Sequence, residues 1–184
     1  MLSARSRIGV PLVLMVLMST LPLAGQIAAW YYGLGMVGQY DTGRVVGGTL
    51  GPRLAAGMGL GRDLSLEAGL SMRKFIGWEA AADLGLSWTP LSVSVWRPEL
   101  GLAAAVSYCS LVVLDSGAGV TVWPVGPQGV ASAGLRVRPF QFRFPAYSFS
   151  ALGLSLWWRW AAFGDWPAIG CELFGLSFPV GGAR

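Results

Sequence analysis

The chain has 184 residues, 54% of them apolar and 12% charged, with 27 glycines and 11 prolines. A soluble domain carries about twice that share of charge, so little polar material is available to cover a water-facing surface. The formal charge of +4 falls to about +2 without Arg5 and Arg7, and the remaining basic residues are scattered without clusters that would track a phosphate backbone, which argues against a nucleic-acid-binding role. Beyond the N-terminal region no apolar run reaches the ~20 residues of a spanning helix, because Gly and Pro interrupt each one. The other membrane-crossing solution is a closed β-barrel, in which every backbone group pairs between strands.

The N-terminus has Arg5 and Arg7, an apolar run over residues 8–18, and a small-residue region ending Leu23-Ala24-Gly25. This is the layout of a secretory signal peptide, with cleavage expected after Gly25 or, alternatively, after Ala29. Residues 1–25 are therefore assigned to the leader and 26–184 to one domain. The alternative, a retained anchoring helix, is disfavoured by the shortness of the run and by Pro22.

From residue 28 the chain alternates with a period of two, as strands do and helices do not. In the first strand Trp30, Tyr32, Leu34 and Met36 oppose Tyr31, Gly33, Gly35 and Val37. Its GLGMVG, residues 33–38, matches a dinucleotide fingerprint, but a turn signal follows it where the fingerprint needs a helix. Small residues facing a crowded interior account for these glycines.

The second strand, residues 50–60, sets Leu54, Ala56, Met58 and Leu60 against Arg53, Ala55, Gly57 and Gly59. After a tight turn at 61–63, the third sets Leu64, Leu66, Ala68, Leu70 and Met72 against Ser65, Glu67, Gly69, Ser71 and Arg73. A short break at 74–77 leads to the fourth, where Trp78, Ala80, Ala82, Leu84, Leu86 and Trp88 oppose Glu79, Ala81, Asp83, Gly85 and Ser87. The fifth starts near Pro98 and alternates from Glu99 to Cys109. The sixth covers 129–144, with a bulge expected near Pro139. The seventh is placed at 146–160 and the eighth at 168–180.

Tight connections are expected at 61–63, 95–98 and 143–145, and longer loops at 41–48, 115–128 and 162–167, the longest being 115–128. Short periplasmic turns and long outer loops alternate in this order when the N-terminus lies inside.

The leader, this alternation, the segments WRPELGLAAAVSY and FPAYSFSALGLSLWW, and the aromatic final strand resemble the small eight-stranded outer-membrane barrel superfamily, OmpA/OmpX-type. The resemblance covers residues 28–180 and is one of pattern. It implies an all-β, eight-stranded antiparallel up-and-down transmembrane β-barrel in the outer membrane, inserted by the barrel-assembly machinery. Such families usually end in a phenylalanine read by that machinery, whereas here PVGGAR follows Phe178.

A barrel of eight strands is filled by its own side chains. The inward set places Glu67, Glu79, Asp83 and Glu99 on one wall and Arg136, Arg138 and Arg159 on the other, which suggests an internal ion-pair network, since buried charges must be paired. Structural filling is favoured over a gated ion path or a ligand pocket. Interfacial belts are expected from Trp30, Trp88 and Trp96 at the periplasmic end and Trp78, Trp158, Trp160 and Trp166 at the outer end.

The chain contains no histidine, which removes Ser-His and Asp-His catalysis and histidine metal ligation. Glu79 and Asp83 fit salt bridges better than a glycosidase pair. Cys109 and Cys171 lie on strands three apart, about 14 Å or more by strand spacing, too far for a disulfide. Two free, inward-facing thiols are expected. No catalytic residue, metal or cofactor is assigned. The expected function is a monomeric scaffold in lipid whose outer loops make surface contacts. The alternatives are a narrow or gated channel for small solutes and a polytopic α-helical inner-membrane protein.

Overall fold

The computed structural model describes residues 30–42, 45–61, 63–91, 95–115 and 121–180. The expected leader, its two cleavage positions and the last four residues of the tail lie outside them. The described strands are β1 (Trp30–Asp41), β2 (Val45–Gly59), β3 (Leu64–Phe75), β4 (Trp78–Trp88), β5 (Glu99–Asp115), β6 (Thr121–Arg138), β7 (Phe140–Arg143), β8 (Ser148–Ala161) and β9 (Gly164–Pro179). All pairings are antiparallel, and β1–β9 and β6–β8 close the sheet on itself. β6 and β7 are two halves of one stave, interrupted at Pro139, whose ring nitrogen has no hydrogen to donate to the ladder. The barrel therefore has eight staves. No helix occurs among the described residues, which overturns the polytopic helical alternative.

Following paired residues once around the wall gives Trp30, Met58, Leu66, Leu86, Leu102, Leu135, Leu156 and Ile169, returning to β1 at Tyr40, ten positions from the start. That stagger requires strongly tilted strands. The line also shows which way the wall faces. Leu70 and Met72 are 64% and 70% exposed on the outside, while Glu67 beside them is 6% exposed on the inside. Trp78 and Trp88 end β4; at ~3.3 Å per residue and a tilt near 40°, they bracket an apolar band of about 25 Å, the height of a bilayer core.

The connections differ from expectation. The loop placed at 41–48 is mostly ladder, with Asp41 opposite Gly47. The loop placed at 162–167 is a tight turn, after which β9 starts at Gly164, whose φ of +146° suits glycine. The expected long loop at 115–128 is a β5–β6 arm paired as far as Asp115↔Thr121. Its glycines and prolines are compatible with a strand because β6 beyond Ala131 is an edge, where residues 121–125 and 128–130 pair with β5 alone among the described residues, and because Gly126 and Pro127 fall in a bulge opposite Ser110. The expected tight turn at 95–98 is the end of a longer connection, residues 89–98, in which Trp96 bridges to Phe142 and the Arg97 amide donates to the Gln141 carbonyl.

The bulge expected near Pro139 is one of three at the same level of the wall, apart from the β5–β6 register shift between Cys109 and Leu111. Leu152, at φ +53°, lies across from it on β8, and Leu173 lies across from Leu152 on β9. The β6–β8 and β7–β8 registers agree across the break, whereas β1 shifts by one against β9 between Met36 and Val37. Three adjacent staves thus each carry an extra residue at one level, and inside and outside exchange parity there. On β9, Trp166, Ala168, Gly170 and Glu172 are buried, whereas beyond Leu173 the exposed Phe174 and its partner Ala151 lie on the outer face.

Candidate functional site: the charged lumen

The barrel interior holds two layers of ion pairs, one toward the end where the described chain begins and ends, the other toward the end carrying the β5–β6 arm. In the first, Glu67 receives Arg53 at 2.9 Å, Arg138 at 2.9 Å and Arg136 at 3.1 Å. Asp83 receives Arg53 at 2.6 Å and Arg136 at 3.1 Å. Arg138 also reaches Glu172 at 2.9 Å and Glu99 at 3.3 Å. The Tyr31 hydroxyl donates to Glu67 at 3.2 Å and the Ser150 hydroxyl to Glu172 at 2.5 Å. Four carboxylates thus share three guanidiniums, whose planar forks allow each to serve several acceptors.

In the second layer Arg159, with 0% of its surface exposed, spans the lumen from Asp41 at 2.7 Å to Glu79 at 2.6 Å. Arg73 pairs with Glu79 at 3.1 Å and donates to Gln39 at 3.1 Å. The Trp166 indole donates to Asp41 at 2.9 Å, and its ring centroid lies 5.5 Å from the Arg159 guanidinium carbon. Phe163 stacks on Trp166 at 5.2 Å. Val45, Cys109, Val130 and Trp166 form a small apolar cluster beside this layer. Between the layers lies a cavity of about 50 Å³ lined by Arg53, Arg73, Asp83, Arg136, Trp157 and several serines, which is room for a few waters.

All seven charged residues named from the sequence, Glu67, Glu79, Asp83, Glu99, Arg136, Arg138 and Arg159, project into the lumen and make ion pairs there. Glu79 and Asp83 belong to different layers, each with both neighbouring arginines engaged. Four partners were not foreseen in the network: Arg53, Arg73, Asp41 and Glu172. Arg53 and Arg73 lie on faces already assigned inward, and Arg73 stands directly opposite Glu79 in the β3–β4 register, so hairpin pairing carried that signal. Asp41 was assigned to a loop, and Glu172 needs the β9 bulge to be placed.

Of the aromatic set, Trp30, Trp88, Trp96, Trp158 and Trp160 are exposed at the two rims and Trp78 is half-buried. Trp166 is a correction: it is 3% exposed and points into the lumen. Cys171 is another. It pairs with lipid-facing Leu154 and lies 3.0 Å from an ideal Cβ on Gly38, on the outer face. The causes differ: the alternation of residues 174–180 cannot be carried back through the bulge at Leu173 to Cys171, whereas Trp166, expected in a loop at 162–167, lies within β9, which starts at Gly164. Cys109 is buried inside, and both thiols are free. Several inward glycines face close neighbours: a Cβ on Gly33 would lie 2.8 Å from the Leu176 carbonyl oxygen, and one on Gly69 would overlap the Arg53 guanidinium.

No protein-family model matches the chain, and no curated protein sequence does. Among solved structures, the crystal structure of Neisserial surface protein A (NspA) matches with a TM-score of 0.63 at 12% identity, over 84% of this chain and 100% of that one. The N-terminal β-barrel domain of Pseudomonas aeruginosa OprF matches at a TM-score of 0.47 and 14% identity, over 84% and 100%. Ail, the attachment invasion locus protein of Yersinia pestis, matches at 0.40 and 12%, over 82% and 97%. With its apolar outer wall, filled charged lumen and likeness to NspA, the chain has the fold of the small eight-stranded outer-membrane barrels.

Proposed function

We propose that the chain is an integral outer-membrane protein whose barrel is a closed, non-catalytic scaffold, and that it presents the β5–β6 arm at the cell surface as a contact element. The observation that carries this reading is the sealed lumen: two successive layers of paired side chains cross it, and Arg159 in the second is wholly buried. Pairing of β4 with β5 ends at Cys109, whereas β5 continues to Asp115, so the arm extends about 20 Å beyond the lowest part of the rim. A paired ribbon of that length held by a rigid wall suits recognition better than a mobile loop does. The partners in this reading are the lipid bilayer, the assembly machinery and a surface ligand, with the barrel acting as a monomer.

The competing reading is a narrow channel. Planar-bilayer recording of the refolded protein separates the two. The scaffold reading expects no discrete conductance steps in molar salt, and reproducible unitary steps would replace it with the channel reading. Deleting residues 112–124 should leave folding intact while abolishing any surface binding.

A further inference from the structure

The arm-side rim is not level. The β3–β4 hairpin turns at Ile76 and Gly77, closed by the Phe75 amide donating to the Gly77 carbonyl. β2 and β5 run past this turn and pair above it, Val45 with Val113 and Val46 with Val112. The turn therefore sits at the foot of the arm, on the outer surface. Both residues at its tip are apolar and unburied, Phe75 at 77% and Ile76 at 52% exposure. The polar rim of a soluble protein would not place such residues on its shortest turn.

Their surroundings form a shallow apolar recess. A Cβ on Gly48 would meet Phe75 at 3.6 Å, Tyr40 at 3.9 Å and Ile76 at 4.0 Å, so the missing side chain leaves a dimple between three apolar groups. Lys74, the chain's only lysine, projects from the outer wall between Leu50 and Trp78, its two cross-strand partners. No described ion pair includes it. Among the described strand residues it is the one cation on the outward face. The patch is continuous below with the lipid-facing Leu50, Leu70 and Met72, and a lysine stem can lie along apolar surface while its ammonium reaches the headgroup level.

We infer that this turn is a binding site for a phosphate-bearing lipid of the surrounding leaflet, with its acyl chains against Leu50, Leu70 and Met72 below, its glycerol-ester region against Phe75, Ile76 and the Gly48 recess, and the headgroup phosphate on the Lys74 ammonium. The inference rests on the membrane-integral reading above. Continuity with the lipid-facing wall selects a lipid over a soluble ligand, and Lys74, a cation of the outer wall in no described ion pair, selects an anionic headgroup over a zwitterionic one.

The test is native mass spectrometry of the refolded barrel in detergent, offered phosphatidic acid or phosphatidylcholine of matched chains. The wild type should retain one phosphatidic acid in preference to phosphatidylcholine. Lys74→Gln should lower that retention about fivefold, the worth of one cation near an anionic lipid surface. The pair Phe75→Ser and Ile76→Ser should lower it for both lipids, and glycerol 3-phosphate should not compete. Equal retention of the two lipids, an unchanged Lys74→Gln variant, or competition by glycerol 3-phosphate would each overturn the site. A compact, heat-modifiable band on unboiled gels is required of every variant. A wild type that never gives this band in any bilayer defeats the membrane reading itself, and a folded barrel that retains no phosphatidic acid defeats only the lipid site.

Discussion

The two charged layers of the lumen solve one problem in different ways. In the layer nearer the termini the charges are shared: Glu67 has three guanidinium partners, Asp83 has two, and Arg138 serves three carboxylates. In the layer nearer the arm, one side chain, Arg159, joins Asp41 to Glu79 across the barrel under a Trp166 cap. Sharing gives tolerance, because a lost partner leaves others in place. A single bridging cation gives less: without Arg159, Glu79 keeps Arg73, but Asp41 keeps only the hydrogen bonds from Trp166 and Gln39, so its charge is stranded away from water.

The largest predicted effect follows directly. Arg159→Leu should cost about 3–5 kcal/mol, read as the urea midpoint for unfolding from phospholipid vesicles, together with weakened heat-modifiability on gels. Arg136→Leu should cost less, about 1.5–3 kcal/mol, because Arg53 stays on both Glu67 and Asp83 and Arg138 stays on Glu67. An Arg136→Leu cost equal to that of Arg159→Leu would erase the distinction between the layers. A double-mutant cycle sharpens it: Arg53→Leu with Arg136→Leu removes both partners of Asp83, so the pair should exceed the sum of the singles by about 1–2 kcal/mol. The smallest expected change is Tyr31→Phe, about 1 kcal/mol for one hydrogen bond to a carboxylate already held by three arginines.

Much of this was legible in the sequence because a strand's period of two is strict and the two media differ so strongly. The faces of β3, β4 and β5, from Leu64 to Cys109, follow unbroken alternation, and with them the inward positions of Glu67, Glu79, Asp83 and Glu99. Legibility failed where the period breaks. The extra residue at Leu173 inverts the first half of β9, which moves Cys171 outside and Glu172 onto Arg138. Nothing in the local composition at 171–175 marks that insertion, because two consecutive apolar residues fit either register. Length was misjudged at the arm for a different reason. Gly126, Pro124 and Pro127 are turn-forming residues by composition, yet Pro124 sits in an edge strand whose ladder runs on one side only, and Gly126 and Pro127 fall in the β5–β6 bulge opposite Ser110.

The inverted, closed barrel is tested most directly by spin-label accessibility along β4. Single cysteines at Glu79 through Ser87, in a background lacking Cys109 and Cys171, would be labelled in vesicles and probed with oxygen and with a water-soluble nickel chelate. Positions 80, 82, 84 and 86 should collide with oxygen and not with nickel, whereas 81, 83 and 85 should be protected from both, since they face a filled lumen. Nickel access at those odd positions would show an open aqueous pore, and oxygen access there with protection at the even ones would show that the faces have been assigned the wrong way round.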